Sequence, residues 1–136
     1  TPYDALIIKL IADRLTEATG EYLHHKVRSE YWGFDKTPFT FDEKQYHGRR
    51  MCFGYPACPD HSLKRRVFDF LQVEQNTNMR LTDSYMITPE ESLCGLFTSR
   101  GEYFSVGRVD ETQLVHYSKH IGLSVEELRE LLPNNI

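Results

Sequence analysis

The sequence predicts one α+β domain: a long N-terminal helix packed with a small antiparallel sheet and further helices. Three observations carry this. Apolar residues recur at helical spacing through residues 3–32 with no proline inside the run. Strand-like segments cluster in the second half instead of alternating with helices. Between the two lies a stretch, residues 48–60, that holds two Gly and two Pro.

Each element has its own signal. In the first helix Ile8, Ile11, Leu15, Ala18 and Tyr22 recur at steps of three and four, which makes an apolar stripe. Gly20 weakens that helix by ~1 kcal/mol relative to Ala, so a close packing contact is expected there. Residues 33–40 read as a loop, and Thr40 or Asp42 can cap a short helix running towards Tyr46. Residues 48–60 read as an ordered but irregular loop, because aromatic and apolar side chains are interleaved with its glycines and prolines.

A second helix is expected over residues 62–74, burying Leu63, Val67, Phe70 and Leu71. Residues 81–87 alternate enough for a strand, and Thr88-Pro89-Glu90-Glu91 opens a turn or short helix. Residues 93–98 and 102–109 flank Ser99-Arg100-Gly101 and read as a hairpin. Asp110-Glu111-Thr112-Gln113 and Ser124-Val125-Glu126-Glu127 are capping boxes for two closing helices. Gly122 ends the first of these and Pro133 the second.

Length and charge narrow the function classes. The 136 residues suit a single domain, residues 1–136, with 40% hydrophobic and 26% charged residues. Lys plus Arg number 16 against 20 for Asp plus Glu, a net charge of −4. No nucleic acid and no anionic membrane is therefore expected as a partner. Residues 5–12, the longest nearly apolar run, contain Lys9 and are too short for a membrane span. With no export signal, Cys52, Cys58 and Cys94 read as reduced thiols of a cytoplasmic protein. The chain opens on Thr1, which indicates a trimmed initiator or a piece of something longer.

Several constellations can carry chemistry. Asp13, Glu17 and Glu21 stand at successive i,i+4 positions and form a carboxylate column, a spacing that destabilises a helix by a few tenths of a kcal/mol per pair. Two readings stay open: a solvated face balanced by Lys9, Arg14 and Lys26, or a surface that meets a cationic ligand or a partner's His. Glu21-x-x-His24 matches the spacing of di-iron bundles, but those need a second such motif. Cys52-x5-Cys58-x2-His61, with His47 nearby, is too widely spaced at its first step for an ordinary zinc site, and no metal is expected. A Cys–His61 nucleophile has no evident third partner or oxyanion hole. No phosphate-binding glycine loop occurs.

The loop Arg50-x-x-x-Gly54-Tyr55-Pro56 is more pointed. Arg50 offers a planar fork for a carboxylate, Gly54 a close backbone approach, and Tyr55 a flat ring with a hydroxyl tip. With Glu17, this suits a small amphoteric molecule bearing a carboxylate, a cationic centre and a ring. An Arg and a Tyr that merely brace an irregular loop fit the composition equally well.

Arg50-Met51-Cys52-Phe53-Gly54-Tyr55-Pro56-Ala57-Cys58-Pro59-Asp60-His61 closely resembles the Arg-x-x-x-Gly-Tyr-Pro-Ala-Cys-Pro-Glu-His signature of the C-terminal activation domain of cobalamin-dependent methionine synthase. Ala12-Asp13-Arg14-Leu15-x-Glu17-Ala18 with Glu21-Tyr22-Leu23-His24 resembles that family's long helix. Tyr31-Trp32-Gly33, Leu81-Thr82-x-Ser84 and Leu132-Pro133-Asn134 fit as well. The resemblance covers essentially the whole chain, read as the C-terminal part of such a domain.

What the resemblance implies is a domain that binds S-adenosylmethionine and docks over cobalamin held by a neighbouring domain. There the sulfonium methyl is transferred while a flavodoxin-type donor supplies an electron, so that inactive cob(II)alamin becomes methylcobalamin. It implies that Arg50 holds the ligand's carboxylate and Glu17 faces its ammonium. Tyr103 and the backbone of Phe104 would line the adenosyl portion, and Gly54 and Tyr55 would bring the loop against ligand and corrin. Asp13 would meet the cobalt-ligating His released by the cobalamin domain. The isolated chain is then part of a methyltransferase without being active alone. Competing classes are a stand-alone S-adenosylmethionine-binding or corrinoid-protein docking module, and a zinc-stabilised interaction domain.

Overall fold

The computed structural model describes all 136 residues. Helix α1 (Pro2–Lys26) starts on a capping box, with the Thr1 hydroxyl accepting from the Asp4 amide and Pro2 in the first turn. At 1.5 Å per residue it is a rod of about 37 Å. It continues as one π-helical turn, Val27–Tyr31. The apolar stripe is where expected along the helix, but it is not the face that packs. Ile8, Ile11, Leu15 and Tyr22 are all more than half exposed. The packed face instead passes through Thr16, Gly20, His24 and Arg28. Small residues on that face permit close approach: a Cβ on Gly20 would stand 3.4 Å from Leu93 Cδ1.

The chain then loops back. The buried carboxylate of Asp35 accepts from Arg28, from the Thr37 amide and hydroxyl, and from the His47 amide. Asp42, as expected, caps a short turn at Glu43–Gln45, here of 3-10 type. Residues 48–60 are not wholly irregular. Strand β1 (Arg49–Cys52) forms inside them and pairs antiparallel with β4 (Gly95–Thr98), Arg50 standing opposite Phe97. Gly95 makes that pairing possible, since a Cβ there would fall 2.5 Å from the Met51 carbonyl oxygen.

The expected second helix is broken in two, α2 (Leu63–Phe70) and α3 (Val73–Asn76). Gln72 adopts a left-handed conformation (φ 50°) between them, which rotates the second piece. Phe70 and Leu71 face solvent, while Phe68 and Val73 join Ile87 in an apolar cluster, with Met79, Leu81 and Cys94 against it. Residues 81–87 are not one strand. They are the tip of a hairpin between β2 (Arg80–Leu81) and β3 (Ile87–Thr88), turning through residues 82–86. Thr88-Pro89-Glu90-Glu91 is a bend, not a helix.

The hairpin expected from residues 93–98 and 102–109 does not form. Residues 93–98 contribute β4, but its partner is β1. Residues 102–109 are extended without a strand because their hydrogen bonds go elsewhere: the Val106 amide donates to Pro56 O, Val109 to Asn135 O, and Asn135 Nδ2 donates to Val106 O. The closing helices α4 (Glu111–Ile121) and α5 (Val125–Leu131) both start on the expected capping boxes, and Gly122 takes the left-handed cap (φ 84°). Leu114, Leu128 and Leu132 are buried where these helices meet. No helix is long and apolar enough to cross a membrane.

Candidate functional site

Glu17 and Glu21 lie one turn apart on α1, and β1 delivers Arg50 and Cys52 from the same face of the strand two residues apart. The 3-10 turn adds Glu43, the loop after β1 adds Tyr55, and Leu93 and Tyr103 close the sides. Together these eight residues surround an open cavity of about 460 Å³. That is within the range of small-molecule sites.

Arg50 dominates its chemistry. Nη2 donates to Glu21 Oε1, and both side chains are shielded, 20% and 19% exposed. Nη1 is buried with no hydrogen-bond partner. Burial opposes the guanidinium charge, but the Glu21 carboxylate outweighs it and pushes the Arg50 pKa up. One arm of a permanently charged fork is thus held by the protein, and the other is unsatisfied. A buried donor left without a partner costs about 1–3 kcal/mol.

Glu17 is 55% exposed at its side chain and takes a 3.0 Å ion pair from Arg14. Asp13 lies one turn earlier, in an adjoining depression shared with Glu17, Glu90, Glu91 and Leu93. Tyr55 and Tyr103 are both about half exposed, each presenting a ring. Residues 54–58 form a tight turn in which Gly54 N–H donates to Cys58 O and Cys58 N–H to Tyr55 O, both at 2.8 Å. Of the residues singled out in the sequence, Glu17, Arg50, Tyr55 and Tyr103 converge on the cavity. Gly54 and Phe104 stand outside its lining, with Phe104 56% exposed. The glycine has a structural reason: at φ +91°, a Cβ would come within 2.1 Å of the His61 ring.

The thiols do not make a second centre. Burial pushes Cys52, Cys58 and Cys94 up, which keeps them protonated at neutral pH. None is in a disulfide. His61 Nδ1 accepts from the buried Lys64 ammonium at 2.7 Å instead of serving a thiol. No three His, Cys, Asp or Glu side chains come together in a metal-binding group.

Sequence reasoning missed four residues of the lining, Glu21, Glu43, Cys52 and Leu93. Glu21 was visible in the carboxylate column, and its i,i+4 step from Glu17 places both on one face. Cys52 would have followed from Arg50 by the two-residue strand period, had a strand been read there. Glu43 had no local signal, because only the return loop brings it in. Behind the cavity, His24 is fully buried between Phe97, stacked at 5.0 Å, and Tyr46.

A mixed helix-and-hairpin fold sets a shielded arginine, three carboxylates and two aromatic rings around one cavity, groups with the chemistry to pair with both a carboxylate and a cationic centre. Residues 1–122 match the family described as "Vitamin B12 dependent methionine synthase, activation domain", and the chain belongs to that family. Among solved structures it is similar to the MetH reactivation domain bound to AdoHcy, with a TM-score of 0.90 and 36% identity. The match covers 99% of this chain and 43% of that one, so this chain spans less than half the length of the solved domain.

Proposed function

We propose that this chain binds S-adenosylmethionine in the cavity between α1 and β1 and serves the reactivation of a cobalamin-dependent methionine synthase. The observation that carries the reading is Arg50, which lines a cavity with carboxylates and tyrosine rings and whose buried Nη1 has no hydrogen-bond partner. AdoHcy, which the related reactivation domain binds, is S-adenosylmethionine without its methyl group. Arg50 takes the ligand's carboxylate, Glu17 its ammonium, and Tyr103 with the backbone of Phe104 its adenosyl part. Gly54 and Tyr55 shape the loop towards the corrin side.

Asp13 stands on the same helix one turn from Glu17, and its role in this reading is to meet a histidine of the cobalamin-binding domain. Cobalamin held by the neighbouring domain would, once reduced from the cob(II) state by one electron from a flavodoxin-type donor, take the sulfonium methyl and leave S-adenosylhomocysteine. The residues of this chain hold and orient the methyl donor.

Calorimetric titration with S-adenosylmethionine tests the binding step. Arg50→Ala should weaken binding by ~2–4 kcal/mol, since a charge-assisted contact in a shielded site is lost. Arg50→Lys should recover only part, because an ammonium cannot reproduce the planar fork. Unchanged affinity in Arg50→Ala would remove the central claim.

A further inference from the structure

We infer that Glu21 is the positioning residue of the cavity: it holds one arm of Arg50 so that the other is fixed towards the carboxylate of the ligand. The inference rests on the reading of the cavity given above and adds to it a residue with its own role. Three features set Glu21 apart from Glu17, its neighbour one turn earlier. Glu21 bonds directly to Arg50 Nη2, whereas Glu17 bonds to Arg14. The Glu21–Arg50 pair is about four-fifths shielded at both side chains, whereas Glu17 and Arg14 are mostly exposed. The pairing also joins α1 to β1, elements twenty-nine residues apart in sequence.

An arginine side chain has several freely rotating bonds, and fixing it before the ligand arrives removes ordering that binding would otherwise have to accomplish. Glu21 fixes it through Nη2 and leaves the buried Nη1 without a partner. The ligand's carboxylate therefore meets a guanidinium whose Nη1 has no competing protein partner. Loss of Glu21 frees the fork, so the ligand must order it on arrival and binding weakens.

The test is a double-mutant cycle on the 136-residue chain, with S-adenosylmethionine affinity read by NMR titration so that millimolar binding is still measured. Glu21→Ala should weaken binding about tenfold and Glu21→Gln by a smaller factor, because the amide oxygen can still accept from Nη2. Adding either change to Arg50→Ala should produce little further loss, since Glu21 acts through the guanidinium. If Glu21→Ala does not fold, Glu21→Gln, which keeps the volume, completes the cycle with an expected loss of at least about threefold. Unchanged or tighter binding in the Glu21 variants would overturn the inference, as would losses that multiply in the double variants. Should Arg50→Ala alone leave affinity unchanged, the ligand reading itself fails. Arg50 sensitivity without Glu21 sensitivity removes Glu21's role only.

Discussion

His24 sits one turn beyond Glu21 on α1, 1% exposed, with neither ring nitrogen hydrogen-bonded. Burial, helped by the Arg28 and Arg50 charges, pushes its pKa down from 6.5 to about 4. The folded chain therefore holds His24 neutral where the unfolded chain binds a proton. Stability from this group is fully present above pH 6.5 and falls as the pH drops from there towards 4. The difference amounts to about 3 kcal/mol when fully developed. Urea denaturation from pH 7 down to pH 4 should show that loss, and His24→Phe, which keeps a ring between Phe97 and Tyr46, should flatten it. An equal pH slope in both proteins would dispose of the argument. Asp35 adds its own acid sensitivity at lower pH. Burial opposes its ionisation, but bonds from Thr37, His47 and Arg28 hold its carboxyl far below the usual range.

That aspartate is also what ties one element to the next. Arg28 in the π-helical turn and Asp35 in the return loop form an ion pair at 3.0 Å with side chains 2% and 4% exposed, and the Arg28 guanidinium lies 3.8 Å from the Tyr46 ring centroid. Removing one partner strands a buried charge, so Asp35→Asn should destabilise the fold by about 3–5 kcal/mol. Replacing both partners together with apolar residues should do less damage than that single change. A loss below about 1 kcal/mol in Asp35→Asn would mean that water reaches Arg28 after all. Nothing in the local sequence marks this pair, whereas the caps of α4 and α5 are fully local and were legible at Asp110 and Ser124. Strand β1 was not, because Arg49-Arg50-Met51-Cys52 shows no apolar–polar alternation and is hydrogen-bonded to a segment more than forty residues away. Within the site, Arg50, Glu17 and Tyr55 followed from residue chemistry. Tyr103 followed only from resemblance to the family.

At the scale of the whole molecule the core is thin. Eighteen of 136 residues are buried, and none lies in the first 23 residues of the chain. Residues 2–16 of α1 make two polar bonds to the rest of the molecule, the Lys9–Glu90 ion pair and the Thr16 hydroxyl donating to the Glu91 carbonyl. The exposed Leu6, Ile8, Leu10, Ile11 and Leu15 form the kind of apolar surface that marks an interaction face. Helical hydrogen bonds that lack tertiary packing open locally at low free energy. Hydrogen exchange should therefore be fast over residues 5–14 and slow around His24 and Arg28, where the helix is buried. In the proposed binding mode saturating S-adenosylmethionine would bridge Glu17 on α1 to Arg50 on β1, so it should slow exchange across residues 17–24 while leaving residues 5–10 nearly unchanged. Protection that is uniform along α1 in the free chain would contradict the graded packing. Protection that rises equally at both ends on ligand addition would show the helix responding as one rigid rod, and would place the ligand's effect outside the Glu17–Arg50 bridge.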